Sequence, residues 1–324
     1  MDASWSASDA LDGELLAEVA ERYGLRSPIT ARRLTGGYAN DVFRLDSAGP
    51  PTVLHVKHPP ADGDSMDWEH RLLVELSVHL PEALPPIPAV DGSTWFWFRG
   101  RPTWLVSWVP GGPAGPADRR AVATVLGRLH SCPAKVSSRP NHARLLQLPL
   151  PPVRQLPAAL APWRTALVGA RAELTHLVRW LEQERRPVTG PTHNDIFPGN
   201  VLVHRRLVTA VLDWEEAEVD WQVWDLARSL WPFCARGDRL DDQAVAEFVA
   251  AYRAAGGPVP PDEDDLIMPL IAAGLILEVL RAPDDRHPQW DHQLTNMRAY
   301  AALGATASNV NRKYAMWPRP PTAC

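Results

Sequence analysis

The sequence contains little lysine and cysteine, and no apolar segment long enough to cross a membrane. Only three lysines (Lys57, Lys135 and Lys313) occur among its 33 basic residues, so arginine carries most of the positive charge. The three cysteines are odd in number and lie far apart, which argues against a disulfide framework and against a zinc site. The acidic N-terminus has no leader signal, so we expect a cytoplasmic protein that is not bound to a membrane.

The charge balance differs strongly from region to region. Residues 193–291 carry 19 acidic and 8 basic side chains, whereas residues 109–192 carry 4 acidic and 12 basic side chains. An acidic surface repels the phosphates of nucleic acid, so we expect no nucleic-acid partner there. Around a catalytic site it would attract a cationic ligand, and the alternative is a solvated helical face without a binding role.

The most informative segment runs from His193 to Asn200 and reads His-Asn-Asp-Ile-Phe-Pro-Gly-Asn. Asp195 precedes Asn200 by five residues, and a short apolar segment separates Asn200 from Asp213. One carboxylate that orients an attacking hydroxyl group, with an amide and a second carboxylate that bind Mg²⁺, is the set of groups that phosphoryl transfer requires. Residues 201–212 are predicted to form a hairpin, which would return Asp213 to the side of Asn200.

An upstream group of residues has the pattern of a nucleotide phosphate site. Gly36 and Gly37 lie in a turn that leads into a β-rich segment, and Lys57 ends the next predicted strand. Glu69 follows on a predicted helix, and this order is typical of the phosphate-clamping half of a kinase site. His55 shares a strand face with Lys57, so its ring could stack on a purine. A partly exposed strand histidine without such a role is the alternative.

With these motifs in place, the chain resembles the aminoglycoside phosphotransferase family, which includes antibiotic-resistance phosphotransferases and the choline and homoserine kinases. The resemblance covers residues 25–300 and depends on the order of several motifs. Asn194 stands where the family usually has a small residue, and Trp214 is the aromatic residue after the metal-binding aspartate. The matching segments outside those described above are Leu105 to Gly111, Leu126 to His130 and Asp225 to Ala227.

The resemblance implies an α+β, bilobal protein-kinase-like fold. Its small β-rich N-terminal lobe would comprise residues 1–108, and its larger, mainly helical C-terminal lobe residues 109–324. The implied cofactors are ATP or GTP and Mg²⁺, with Asp195 as the catalytic residue and Asn200 and Asp213 as metal ligands. The implied nucleotide contacts are Lys57 paired with Glu69, then Gly36, Gly37, Val42 and His55, and the backbone of Ser107 and Val109.

Several further residues and segments have predicted structural roles. Asp225 is expected to be a buried brace for the catalytic loop, although contact with the acceptor is also possible. His193 is expected to hydrogen-bond the loop backbone rather than act as a base, and His130 to be a packed structural histidine. Besides the helix around Glu69, helices are predicted over residues 8–24, 117–131, 155–185, 243–255, 265–281 and 290–308.

For the function, the motifs favour an O-phosphotransferase that acts on a small-molecule acceptor, namely an antibiotic or specialised metabolite, and that confers resistance. The acidic region 193–291 indicates a cationic acceptor of the aminoglycoside or peptide type. Glu278 follows an apolar helical segment, and its carboxylate could pair with Arg281 rather than with the acceptor. The candidate acceptor contacts are Glu215, Glu218, Asp220 and Glu278.

Two other functions compete with this one. A kinase of primary metabolism acting on choline, homoserine or a sugar is the alternative. A pseudokinase binding module is disfavoured, because every side chain of the phosphoryl-transfer pattern is present. We expect a monomer or a homodimer.

Overall fold

The structure is a computed structural model that describes residues 11–34, 40–59, 62–140, 158–237, 239–281 and 295–301. The helices in these ranges are α1 (Gly13–Tyr23), α2 (Gly63–Ser77), α3 (Arg119–Ser131), α4 (Arg164–Trp180), α5 (Gln222–Cys234), α6 (Asp242–Ala254) and α7 (Asp264–Arg281), and residues 295–301 are also helical. The strands are β1 (Thr30–Arg33), β2 (Asn40–Asp46), β3 (Thr52–Lys57), β4 (Phe96–Phe98), β5 (Arg101–Ser107), β6 (Gly112–Pro113), β7 (Thr189–Thr192), β8 (Val201–His204), β9 (Leu207–Val211), β10 (Glu218–Trp221), β11 (Ala235–Arg236) and β12 (Arg239–Leu240). Within these ranges, none of the helices has the length and apolar character that crossing a bilayer requires.

The chain divides into two compact units, and each is assembled from segments that are separate in sequence. The first unit contains Met1–Ala114, Cys132–His142 and Gly199–Glu215. The second contains Gly115–Ser131, Ala143–Pro198 and Glu216–Cys324. The segment from His193 to Asn200 therefore contributes its first part to the second unit and its last two residues to the first.

The first unit is built on a five-stranded antiparallel sheet with the order β1-β2-β3-β5-β4. Side chains alternate between the two faces of a strand, and β3 shows the consequence. Leu54 and Val56 are fully buried in a core that includes the apolar side of α1. Val53, His55 and Lys57 lie on the other face and line a cavity. The sheet thus separates the core of this unit from a potential binding site.

The hairpin predicted over residues 201–212 is present as β8 and β9. Its two-residue turn consists of Arg205 and Arg206, which both have positive φ values (50° and 68°). Such values give the turn the twist that antiparallel strands need, although glycine or asparagine is more usual there. The Leu212 amide donates to the Asn200 carbonyl at 2.7 Å, so the end of β9 returns to the residue that precedes β8.

In the second unit, α3 packs against α6, and α5 packs against α7. The helices predicted over residues 117–131, 243–255 and 265–281 match α3, α6 and α7 to within two residues at each end. The prediction over 155–185 corresponds to α4 and a π-turn that continues to residue 185. The prediction over 290–308 can be compared with the structure only at residues 295–301.

No helix was predicted at α5, although this helix carries several residues of the site. Ten of its thirteen residues are buried, including Asp225. A helix that is buried on all sides lacks the alternation of apolar and polar faces by which amphipathic helices are found in a sequence. Pro232 within it further weakens the helical pattern.

Candidate active site

A cavity of about 380 Å³ lies within the first unit, and we name it the sheet cavity. Its lining combines one face of β2 and β3, the segment after β5, and the two ends of the β8–β9 hairpin. The predicted site residues in this lining are Val42, His55, Lys57, Glu69, Ser107, Val109, Asn200, Asp213 and Glu215. Gly36 and Gly37 lie outside the described residues. The sheet cavity therefore brings the predicted nucleotide and metal residues of this unit together.

The ion pairs in the sheet cavity differ from the predicted Lys57–Glu69 pair. Glu69 is nearly fully buried, and its Oε2 accepts from Nη2 of Arg139 at 2.9 Å. Arg139 also donates to the Glu215 carbonyl at 2.6 Å and to Oγ of Ser65 at 2.6 Å. Lys57 Nζ lies 3.4 Å from Oε2 of Glu215. The prediction was wrong because a buried arginine from a distant segment neutralises Glu69.

Arg139 and Glu215 thus hold positions that the sequence reasoning did not give them. Nothing in the local sequence around Arg139 indicates that this arginine is buried. Glu215 was predicted to contact the acceptor, whereas its side chain lines the sheet cavity and pairs with Lys57. Arg139 joins α2 to the segment that follows Asp213, so these parts of the cavity wall are fixed to each other.

His55 stacks on Trp104 of the neighbouring strand, with ring centroids 4.9 Å apart and an interplanar angle of 12°. The two residues are directly paired in the β3–β5 register, and both line the sheet cavity. Burial lowers the pKa of His55 to about 4, so the ring is neutral at physiological pH. Its Nδ1 atom has no hydrogen-bond partner among the described residues. A neutral aromatic ring with an unused polar atom suits contact with a planar ligand.

Asn200 and Asp213 both line the sheet cavity and carry side-chain oxygen atoms. The hairpin fixes them as neighbours through the bond from the Leu212 amide to the Asn200 carbonyl. Asp213 has a φ of 63°, an unusual conformation for a residue other than glycine, and such residues concentrate at functional sites. Mg²⁺ prefers hard oxygen ligands and commonly uses one or two protein groups besides phosphate and water. This pair of donors fits such an ion.

In the second unit, Asp225 holds the backbone of the loop that contains Asp195. Its Oδ2 accepts from the His193 amide at 2.7 Å, and its Oδ1 accepts from the Asn194 amide at 3.0 Å. The Asp195 amide in turn donates to Nδ1 of His193 at 3.2 Å. The structure places Asp225 and His193 in the structural roles predicted for them.

Asn194 replaces the family's usual small residue, and its conformation accounts for the departure. Its φ is 63°, in the left-handed region that asparagine tolerates better than most residues. Its Nδ2 donates to the Glu216 carbonyl at 3.1 Å. The asparagine therefore ties the loop to the start of the next segment of its own unit.

A buried chain of hydrogen bonds continues from Asp225 through two further helices. Nε2 of His130 lies 3.1 Å from Asp225 Oδ2, and Nδ1 of His130 lies 2.8 Å from the Tyr252 hydroxyl. The Val259 amide donates to that hydroxyl at 3.4 Å. One assignment satisfies all of these contacts, with Nε2–H donating to Asp225 and the Tyr252 hydroxyl donating to Nδ1. His130 is thus buried and structural, as expected.

Burial on its own would raise the pKa of Asp225, which has no solvent exposure. The hydrogen bond from His130 and the contacts with His193 outweigh burial, so the pKa of Asp225 lies below its ordinary value. The carboxylate is consequently ionised at neutral pH and can accept all three hydrogen bonds at once.

A second cavity of about 620 Å³ lies within the second unit, and we name it the helix pocket. Its lining consists of residues 195–198, one side of α5, one side of α7 and Asn296. Nη2 of Arg228 lies 3.3 Å from Oδ1 of Asp195 and 3.9 Å from Oε1 of Glu278. Nδ2 of Asn296 donates to Oε2 of Glu278 at 2.9 Å. The helix pocket therefore contains Asp195, a second carboxylate and a guanidinium group.

The four predicted acceptor contacts do not lie together. Glu278 lines the helix pocket, and Glu215 lines the sheet cavity. Glu218 and Asp220 are buried in β10, where each carboxylate accepts from the amide of the next residue. Neither of these two residues belongs to the described lining of the helix pocket. The side chain of Arg281, the predicted alternative partner of Glu278, lies outside the described side chains.

Arg228 and Asn296 are the pocket residues that the sequence reasoning missed. Arg228 follows Asp225 by three residues in the unpredicted helix α5, so its orientation could not be assigned. The available signal was an arginine within a largely apolar segment, because charged residues are rarely placed in such a segment without a partner. Asn296 stands in a predicted helix but carried no distinguishing pattern.

The chain is similar to known phosphotransferases in sequence and in fold. The model of the phosphotransferase enzyme family (APH) matches residues 30–266. Homoserine kinase from Gluconacetobacter diazotrophicus is 26% identical over 277 residues, which cover 82% of this chain and 84% of that protein. A microcompartment-associated aminopropanol kinase has a similar structure, with a TM-score of 0.68 and 15% identity, over 92% of this chain and 98% of that chain.

A spectinomycin phosphotransferase, solved with ADP and spectinomycin, is also similar, with a TM-score of 0.59 and 14% identity over 93% of this chain and 99% of that chain. These structures confirm the predicted α+β fold of the protein-kinase-like class, with a β-rich and a mainly helical part. The family match extends through both units and includes the loop around Asp195 and the hairpin that follows it. The chain belongs to the phosphotransferase enzyme family, and it is an ATP-dependent phosphotransferase that uses an alcohol group of a small molecule as acceptor.

Proposed function

We propose that the protein transfers the γ-phosphate of ATP, with Mg²⁺, to a hydroxyl group of a small acceptor that carries an ammonium group. The nucleotide would bind in the sheet cavity and the acceptor in the helix pocket. The observation that carries this proposal is the position of Asp195, which ends the loop braced by Asp225 and lies in the lining of the helix pocket. GTP is the alternative donor, since the phosphate contacts would be the same.

Asp195 would accept a hydrogen bond from the attacking hydroxyl group and take its proton late in the transfer. Phosphoryl transfer depends mainly on positioning and electrostatic stabilisation, so the fixed loop matters more than the basicity of the carboxylate. Lys57 would bind phosphate oxygens, and Asn200 and Asp213 would bind Mg²⁺. When bound there, Mg²⁺ would neutralise negative charge on the nucleotide phosphates. His55 and Trp104 would contact the base.

Two acceptor classes are compatible with the helix pocket. The first is a cationic antibiotic or specialised metabolite, for which resistance would be the biological role. The pocket volume of about 620 Å³ would accommodate an acceptor of that size. The second is homoserine, which is favoured by the name of the Gluconacetobacter diazotrophicus relative, since this similarity covers 82% of the chain.

The catalytic assignment can be tested with Asp195→Asn. We expect a fall in kcat of about 10²- to 10⁴-fold, because the amide cannot take the hydroxyl proton, while the affinity for ATP is retained. The matched control is Asp242→Asn, since Asp242 is an exposed aspartate at the start of α6 in the same unit. ADP release is measured with a panel of acceptors, and ATP affinity by calorimetry. Unchanged turnover in Asp195→Asn would refute the assignment.

A further inference from the structure

We infer that the helix pocket binds an acceptor that carries a carboxylate in addition to its hydroxyl and ammonium groups, and that Arg228 binds this carboxylate. The inference rests on the proposed function, because it takes the helix pocket to be the acceptor site. It narrows the acceptor class to hydroxy amino acids.

Several N–H donors of the Arg228 guanidinium group make no hydrogen bond within the described residues. Its two ion-pair contacts, to Asp195 and to Glu278, both involve Nη2. Nε and Nη1 have no partner among the residues that the structure describes. A guanidinium group carries five N–H donors and binds a carboxylate through two parallel hydrogen bonds. Both carboxylate-binding edges of a guanidinium group include Nη2, and Nη2 makes a single hydrogen bond, to Asp195, because Glu278 at 3.9 Å is beyond hydrogen-bond distance. The second N–H of Nη2 and its neighbouring donor therefore leave one edge that matches a ligand carboxylate.

The packing around Arg228 fixes this group at the pocket. Its side chain is only 14% exposed and belongs to the pocket lining. The guanidinium carbon lies 5.5 Å from the centre of the Trp224 ring. Gly274 of α7 lies beside the aliphatic stem, because a Cβ atom there would be 3.7 Å from Arg228 Cγ. A long side chain held in this way loses less entropy on binding a ligand than a free one.

The other charges of the pocket complete a zwitterionic pattern. The Glu278 side chain is 40% exposed and is oriented by the Asn296 amide, so it can contact an ammonium group. Asp195, which is 31% exposed, would take the hydroxyl group. One guanidinium and two carboxylates thus meet three different groups of one small molecule.

The rest of the lining argues against a polycation. Its large side chains are apolar: Ile196, Phe197, Trp231, Pro232, Ile271 and Leu275. The described lining contains two carboxylates and one guanidinium, so it offers one excess negative charge. An acceptor with several ammonium groups would bury charges without partners, which is costly. A hydroxy amino acid, with one positive and one negative charge, matches this lining.

The inference is tested with pairs of acceptors that differ only in the carboxylate. The pairs are homoserine with 3-aminopropan-1-ol, serine with ethanolamine, and threonine with 1-aminopropan-2-ol. The wild-type protein should prefer the amino acid in at least one pair by about 10- to 100-fold in kcat/KM, the value of a charge-assisted hydrogen bond. Equal use of both members, or preference for the amino alcohol, would overturn the inference.

Variants separate binding of the acceptor carboxylate from positioning of Asp195. Arg228→Met keeps the aliphatic stem, and it should remove the preference within a pair by raising KM for the amino acid alone. Arg228→Lys should retain part of that preference. Glu278→Gln should weaken both members alike, since both carry the ammonium group. Arg236→Met changes an exposed arginine of the same unit and should leave all constants unchanged.

The outcomes distinguish this inference from the proposed function. If Arg228→Met lowers kcat equally for both members of a pair, Arg228 only positions Asp195, and the inference is wrong. Activity with an aminoglycoside and with no amino acid would overturn the inference and leave the proposed function intact. If the protein turns over no ATP with any of these acceptors, both the inference and the proposed function are overturned.

Discussion

Replacing Asp225 with asparagine tests the buried network that holds the loop of residues 193–195. The change preserves the size of the side chain and removes one negative charge. An amide presents one oxygen atom and one NH₂ group, whereas the carboxylate presents two oxygen atoms. Since the amides of His193 and Asn194 donate to different oxygen atoms of Asp225, either orientation of the new side chain sets a donor against a donor.

The cost follows from the contacts that are lost. One buried backbone N–H group loses its acceptor, which costs about 1–3 kcal/mol, and the other hydrogen bonds lose their charge-assisted part. Because the substitution disrupts a buried hydrogen-bond network, we expect a total cost of about 3–5 kcal/mol for Asp225→Asn, at the upper end of the effects of single substitutions. A loss of this size is a large fraction of the roughly 5–15 kcal/mol that stabilises a typical domain. The melting temperature should fall by about 10 °C.

The assay is urea unfolding of the full chain followed by tryptophan fluorescence, with kcat measured in the same preparations. Ser229→Ala is the matched control, because the Ser229 hydroxyl is buried in the same helix and donates to the Asp225 carbonyl at 2.8 Å. It should cost about 1 kcal/mol. If Asp225→Asn costs no more than Ser229→Ala, the carboxylate does not brace the loop.

The dependence on pH gives a second check. The pKa of Asp225 lies below its ordinary value in the folded protein, so its contribution to stability is complete above the unfolded pKa, near 4. This contribution is lost as the pH falls through the folded pKa. The difference in unfolding free energy between the wild-type protein and Asp225→Asn should therefore be constant from pH 7 to pH 5 and decrease below pH 4. A difference that grows on acidification would contradict the assignment.

Two further predictions concern the metal site and helix packing. Asp213→Ala should abolish Mg²⁺-dependent turnover, because the phosphate charge would be poorly neutralised, and a Mg²⁺ titration of ADP release checks this. Gly127→Ala should lower stability by about 1–3 kcal/mol or more, since its Cβ atom would lie 2.3 Å from the Tyr252 carbonyl oxygen of α6. Gly169→Ala should instead raise stability by about 0.5–1 kcal/mol in thermal unfolding, because that helical position has nothing within 4 Å.

The parts of the site that depend on local spacing could be predicted from the sequence. The hairpin over residues 201–212 has too few residues for any path other than an antiparallel return. Asn200 must then lie near the residues that follow β9, whatever the rest of the fold does. Likewise, the period of two in β3 places His55 and Lys57 on one face once the strand exists.

The ion pairs could not be predicted, because they depend on contacts between distant segments. Glu69 and Arg139 are 70 residues apart in sequence, and no local pattern indicates that they meet. A buried carboxylate needs a partner, but this requirement does not identify which cation provides it. The order of the motifs indicates Lys57 as the partner of Glu69, but it carries no information about Arg139. In the structure, Glu215 is the carboxylate beside Lys57.

The acidic composition of residues 193–291 illustrates the same limit. Many of these carboxylates form ion pairs or hydrogen bonds within the second unit and are therefore not available to a ligand. Asp241 caps α6, Glu247 pairs with Arg119, Asp264 with Arg253 and Asp265 with Arg185, while Glu263 accepts from the Val188 amide. A regional excess of carboxylates therefore does not measure the charge of a binding site.

The charge that matters for acceptor specificity is the charge of the pocket lining. In the described lining of the helix pocket, only Asp195 and Glu278 are acidic, and Arg228 lies within 4 Å of both. One excess negative charge attracts a cationic acceptor far less strongly than the 19 acidic groups of the region would. The acceptor KM should consequently depend only weakly on ionic strength, whereas a polycationic acceptor held by many carboxylates would dissociate steeply as salt rises. Acceptor selection in this protein is then a matter of a few fixed groups, above all the guanidinium of Arg228, rather than of an acidic surface.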